Sequence, residues 1–148
     1  MKKTAALLLA LLLLLGVVSA SAQTVVCPAG GFSLTRPDSF SGIPRSPGDD
    51  RDLVLQYSDG SVNLAVYVSY AGTDNPFLVL TGDEIEYGPV SVNGVTMQYA
   101  RGRDDQGPWA TYSWQRTQDA VALYFVWTGS DDAALSLIRK IMSSISFG

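Results

Sequence analysis

Two turn signals, Asp59-Gly60 and Asn93-Gly94, constrain what this chain can fold into more than any other feature. Asp-Gly and Asn-Gly accept the positive φ angles that a tight reversal between antiparallel strands demands. The first lies between Leu53-Val54-Leu55-Gln56-Tyr57 and Val62-Asn63-Leu64-Ala65-Val66. A two-residue turn with Ser58 facing Ser61 sets Tyr57 against Val62, Leu55 against Leu64 and Leu53 against Val66. All six then share one face, and the stripe runs on through Val68 and Tyr70. At the second turn Val92 faces Val95 and Val90 faces Met97, on the same side as Tyr99.

A third antiparallel pair is predicted from Trp109 to Arg116 and from Val121 to Thr128, around Thr117-Gln118-Asp119-Ala120. Val121, Leu123, Phe125 and Trp127 form one side of its second strand, with Ala122, Tyr124 and Val126 on the other. Apolar residues on both sides mark a central strand. Upstream, Val25 to Leu34 holds a first strand, closed by Arg36-Pro37. Asp38 to Asp52 and Gly102 to Pro108 read as surface loops, and Phe77 to Leu80 as a short helical piece between Asn75-Pro76 and Gly82. The chain closes with a helix capped by Ser130, whose Asp131 and Asp132 complement the positive end of the helix dipole. Ala134, Leu137, Ile138, Ile141 and Ile145 recur along it at helical spacing. The expected class is α+β: an antiparallel sheet of about six strands with a C-terminal helix packed across one face.

Residues 1–22 have the form of a secretory signal peptide. Lys2 and Lys3 precede an apolar run from Ala5 to Val18, and Ala20-Ser21-Ala22 supplies small residues for cleavage between Ala22 and Gln23. The run is about fourteen residues, short of the ~20 that span a bilayer, so no membrane span is expected in the mature chain. Lipidation at Cys27 fits poorly, because Thr24-Val25-Val26 lacks the small residue expected just before such a cysteine. Residues 23–148 then form one domain, secreted or held at the cell envelope. Without Lys2 and Lys3, eight basic residues remain against fourteen acidic ones, a net charge of −6. That balance repels phosphate backbones and argues against nucleic-acid binding.

The chain has no histidine and one cysteine, Cys27. Ser-His-Asp and Cys-His catalysis are therefore excluded, the common zinc sites have no ligand set, and no internal disulfide can form.

Taken in order, the Phe32-Ser33-Leu34-Thr35-Arg36-Pro37 strand, the hairpin meander, Val92-Asn93-Gly94-Val95, an aromatic strand pair and a helix reading Ile138 to Ile145 carry a family likeness. They resemble the PsbP-like class of small extracytoplasmic domains, in particular the uncharacterised domain attached to some Gram-positive anti-sigma-factor-like membrane proteins. The likeness spans most of residues 31–147. It implies an antiparallel sheet with helical cover, and a binding or assembly role without a catalytic set. No family active-site residue carries over. Lacking a clear transmembrane or cytoplasmic portion, the chain does not take a sigma-factor regulatory role from it.

Candidate sites follow from charge and aromatic content. Asp49, Asp50 and Asp52 beside Arg51, and Asp104-Asp105, offer oxygens but lack a complete calcium-loop pattern, so they read as solvated loops and no metal is expected. Asp83, Glu84 and Glu86 border Ile85 and Tyr87 and are the candidates for a carboxylate-dependent glycan hydrolase. A chain this small with short loops leaves little room for a deep cleft. Aromatic residues are the stronger signal: Trp109, Tyr112, Trp114, Tyr124 and Trp127 fall on one hairpin, with Tyr67, Tyr70 and Tyr99 on its neighbours. If the helix covers Leu123, Phe125 and Trp127, then Tyr67, Trp109 and Tyr124 lie on the other face, where aromatic rings stack on sugars or anchor proteins. Arg101, Arg103 and Arg116 near the strand ends are candidates for an anionic ligand. The expected function is a non-catalytic binding module for a protein or glycan partner at the cell envelope, with no cofactor. An accessory protein of a larger surface complex is the other non-enzymatic possibility.

Overall fold

A computed structural model describes residues 22–70 and 83–148, with backbone alone at 83–85. The leader and the Phe77–Leu80 piece therefore lie outside the described residues, apart from Ala22. In chain order the elements are β1 (Gln23–Cys27), β2 (Phe32–Arg36), β3 (Ser41–Gly42), β4 (Leu53–Ser58), β5 (Val62–Tyr70), β6 (Asp83–Val92), β7 (Val95–Asp104), β8 (Gly107–Gln115), β9 (Asp119–Trp127), α1 (Asp131–Ser143) and β10 (Ser146–Phe147).

The expectation of about six strands in one sheet is corrected. Ten strands are described, in a seven-stranded antiparallel sheet ordered β3-β4-β5-β9-β8-β7-β6 and a three-stranded sheet ordered β1-β2-β10. Val25 to Leu34 is a hairpin rather than one strand, because the chain reverses between Cys27 and Phe32. Gly30 permits that reversal: a Cβ there would lie 2.5 Å from the Phe32 ring. The predicted Gly102–Pro108 loop is likewise mostly strand. Asp104 pairs with Gly107, and the Asp104 carboxylate accepts from the Gln106 N–H to close a two-residue turn. Within the predicted surface loop 38–52, Phe40 is buried and Ser41-Gly42 pairs with β4.

Both turn signals produce hairpins. Val92 pairs with Val95 and Val90 with Met97, while Asn93 and Gly94 take φ 47° and 86°, as expected. The first hairpin closes one pair earlier than predicted, with Ser58 opposite Asn63, Tyr57 opposite Leu64 and Leu55 opposite Val66. Asp59 explains the longer loop: its carboxylate accepts from the N–H groups of Ser61 (2.8 Å) and Val62 (2.7 Å). The shift is two residues, so Leu55 and Tyr57 keep their predicted face, but a bulge between Leu53 and Leu55 sets Leu53 opposite Tyr67 rather than Val66. The core stripe ends at Val68, however, since Tyr70 is 65% exposed.

β9 is the fourth of seven strands, as its two apolar faces required. Val121, Leu123, Phe125 and Trp127 pair with Val68, Val66, Leu64 and Val62 of β5. Ala134, Leu135, Ile138, Ile141 and Met142 of α1 belong to the same buried cluster. Burying each large aliphatic or aromatic side chain here contributes about 1.5–3 kcal/mol. The small sheet joins this face through aromatic edges, with Trp114 packing at 5.8 Å on Phe32 and 5.6 Å on Phe147. α1 begins at the Ser130 cap, which accepts from the Ala133 N–H. At its far end the Asn93 amide donates to the carbonyls of Ser143 and Ile145, tying a hairpin tip to the helix terminus.

Candidate functional site

The helix and the small sheet occupy one face of the seven-stranded sheet, which leaves the other face to be built from the alternate residues. On β5 these are Asn63, Ala65, Tyr67 and Ser69; on β9, Ala122, Tyr124 and Val126; on β8, Trp109, Thr111 and Ser113. Tyr67 lies opposite Ala122, Tyr124 opposite both Ala65 and Thr111, and Trp109 opposite Val126 and Gly102. The three aromatic residues are thus offset by two positions at each step across β5, β9 and β8, a continuous diagonal. Such neighbours are about 7–8 Å apart, within reach of aromatic side chains. Beside them Ala65, Ala100, Thr111 and Ala122 are small and buried, a floor between larger walls. Tyr67 and Tyr124 are half-buried, whereas Trp109 is 4% exposed and its indole Nε1–H has no hydrogen-bond partner among the described residues.

Acidic groups border this diagonal at both ends. The Asp52 carbonyl accepts from the Val68 N–H (2.9 Å) and its carboxylate from the Ser69 hydroxyl (3.3 Å), which pins the Asp-rich loop to β5. Burial pushes the Tyr67 phenol above its ordinary pKa, and the nearby charges of Asp50 and Asp49 push it the same way. Tyr124 is raised by burial first, then by Asp104 and Tyr67. Both tyrosines therefore stay protonated hydrogen-bond donors well into alkaline solution. Sequence reasoning treated Asp49, Asp50 and Asp104 as solvated loops and did not join them to the aromatic row. The hairpin register carried the missing signal, because it brings Asp104 to the Trp109 end.

The predicted arginines fall elsewhere. Arg101 is ion-paired with Glu86 (3.0 Å) and Arg103 with Asp131 (3.4 Å), both on the helix side of β7. Arg116 sits at the opposite end of the sheet, where it binds both Asp119 oxygens (2.5 and 2.6 Å) and donates to the Ala29 carbonyl (2.8 Å). The hydrogen bonding it donates to Asp119 leads the effects that raise the Arg116 pKa. The six predicted residues therefore form an aromatic trio on one face and three dispersed ion pairs on the other.

Several carboxylates, those of Asp49 and Asp50 beside the diagonal included, are committed to the fold. Asp49 accepts from the Ser46 N–H, Asp50 from the Asp52 N–H, Asp59 closes its turn, and Asp131 accepts from the Trp127 indole (3.0 Å). Glu86 is held by Arg101, while the side chains of Asp83 and Glu84 lie outside the described residues. Three cavities of about 290–310 Å³ border β4, the β7–β8 rungs and the β1–β2 turn, and no carboxylate lines any of them.

No family model matches the chain, and no curated protein matches it. Among solved structures, the solution structure of cyanobacterial PsbP (CyanoP) from Synechocystis sp. PCC 6803 superposes with a TM-score of 0.61. The match covers 90% of this chain and 96% of that one, at 16% identity. A crystal structure from Bacteroides thetaiotaomicron VPI-5482 gives a TM-score of 0.49 over 86% of this chain and 48% of its own, at 10% identity. The first likeness is one of fold: the architecture is PsbP-like over nearly the whole length of both chains. The second is too distant to carry an argument.

Proposed function

We propose that this protein is an exported, non-catalytic interaction module of the cell envelope or extracellular space. Its leader is cut between Ala22 and Gln23, and the folded remainder holds a protein or glycan partner on the face of the seven-stranded sheet opposite the helix. One observation carries the reading: the Tyr67–Tyr124–Trp109 diagonal, walled by aromatics, floored by small residues and edged by carboxylates. Rigid aromatic surface with hydrogen-bonding edges favours contact with a partner over bond breaking. The PsbP-like fold is compatible with an accessory or interaction role. A carboxylate-dependent hydrolase finds less support, because the carboxylates described above stabilise turns, ion pairs and a helix start.

The test is retention of envelope components or arrayed glycans by the purified chain and by its Tyr67→Ala, Tyr124→Ala double variant. Retention by the first and loss by the second is expected. Turnover of a glycan, abolished by replacing one acidic residue, would reverse the assignment.

A further inference from the structure

β1 starts at Gln23, the first residue after the proposed cleavage point, so the new terminus belongs to a strand rather than a free tail. Gln23 pairs with Arg36 of β2, and its side-chain carbonyl accepts a hydrogen bond from the Arg36 Nη2. Three contacts fix that guanidinium. It binds the Gln23 amide, donates through Nη1 to the Phe40 carbonyl, and lies 5.5 Å from the centre of the Tyr57 ring. Phe40 is itself fully buried, which anchors the acceptor.

We infer that the mature N-terminus is a self-modifying site, at which Gln23 closes to a pyroglutamyl lactam with Arg36 as the positioning residue. This rests on the proposed cleavage between Ala22 and Gln23. Cleavage frees the Gln23 α-amine. Its nitrogen lone pair attacks the side-chain Cδ, forming the N–Cδ bond of a five-membered ring. The carbonyl electrons move onto Oε1, where the Arg36 guanidinium faces the developing oxyanion. The intermediate collapses with rupture of the bond from Cδ to the amide nitrogen. That nitrogen takes up the proton lost by the amine and leaves as ammonia. No oxidant, reductant or second substrate is consumed.

The fold also gives the lactam a consequence. A free terminus would place an ammonium beside Arg36, two like charges at one edge of the small sheet. Ring closure removes that charge and leaves the carbonyl oxygen as an acceptor for Arg36. It also blocks aminopeptidases at an exposed edge strand whose Val25 and Cys27 are core residues.

The experiment is pulse–chase export of the full-length precursor, with intact-mass and amine-labelling analysis of the secreted product over time. The expected product is residues 23–148, lighter by one ammonia and unreactive to amine reagents at its terminus. Arg36→Gln is expected to slow closure about tenfold, a reduced form of the oxyanion-donor effect at an exposed site, with Arg36→Lys intermediate. Concentrated urea provides a control that needs no substitution, and the folded wild-type chain should close faster than the unfolded one. A mature chain starting at Gln23 with a persistent free amine overturns the lactam while sparing the cleavage reading. A different first residue, or a retained leader, overturns both. Equal rates in folded and unfolded chains overturn the role of Arg36.

Discussion

Asn93 offers a sharp test of how the fold is held, because one side chain serves a turn and a helix end together. Its backbone sits at φ 47°, and its amide donates to Ser143 O at 3.2 Å and Ile145 O at 2.6 Å. Asn93→Gly keeps the left-handed backbone but removes both donations. The exposed bond to Ser143 counts for little and the half-buried one to Ile145 for about 1 kcal/mol, so the loss is about 1–2 kcal/mol. Asn93→Ala loses the same bonds and adds about 1–2 kcal/mol for holding a Cβ residue in the left-handed region, giving about 2–4 kcal/mol. Asn93→Asp tolerates the backbone but points a carboxylate at two carbonyl oxygens, and should cost at least as much as glycine. Urea unfolding by circular dichroism, with an unchanged slope, gives the three values. If alanine and glycine cost the same, or if glycine costs less than about 0.5 kcal/mol, the reasoning is refuted.

Further outcomes follow from burial and charge. The Tyr112 phenol is 8% exposed and burial pushes it to about 12, so the folded state holds its proton more tightly than the unfolded state. Folding stability therefore falls as pH rises from about 10 through about 12, as phenolate absorbance and unfolding midpoints will show. Cys27 is 3% exposed and burial raises its pKa above a free thiol's, so a disulfide reagent should modify it only after denaturation. For Trp109→Phe, removing a buried N–H that has no partner among the described residues gains about 1–3 kcal/mol and the smaller ring loses a comparable amount. A net change within about 1 kcal/mol is expected, and a loss above about 3 kcal/mol would show that the indole has a partner in solution.

The legible parts of the fold were those in which a local rule and a hydrophobic pattern acted on the same residues. Asn93-Gly94 fixed its own register, and the Ser130 cap with the Ala134, Ile138 and Ile141 spacing fixed the helix, although it ends at Ser143 and leaves the predicted Ile145 beyond it. Alternation along β9 placed Tyr124 away from Phe125, and therefore with Tyr67 and Trp109. What escaped was decided by contacts distant in sequence or too short to show a period. β3 and β10 are two residues each, and their pairing with β4 and β2 has no pattern to announce it. Phe40 shares a segment of prolines, glycines, serines and aspartates with one other apolar residue, the exposed Ile43, so only tertiary packing reveals it as core. The first hairpin slipped by one pair because the Asp59 carboxylate accepts from the backbone N–H groups of Ser61 and Val62, which holds the longer loop. For the arginines, proximity along β7 suggested a shared site, but Glu86 and Asp131 claim Arg101 and Arg103 from other elements.

The most direct measurement of the proposed role is an NMR footprint of a retained partner on the labelled mature chain. The account predicts that the ring signals of Tyr67 and Tyr124 and the indole N–H of Trp109 shift together on titration, while those of the helix side stay fixed. A footprint centred on α1 or on the Arg101 and Arg103 edge, with the aromatic diagonal unmoved, would contradict it.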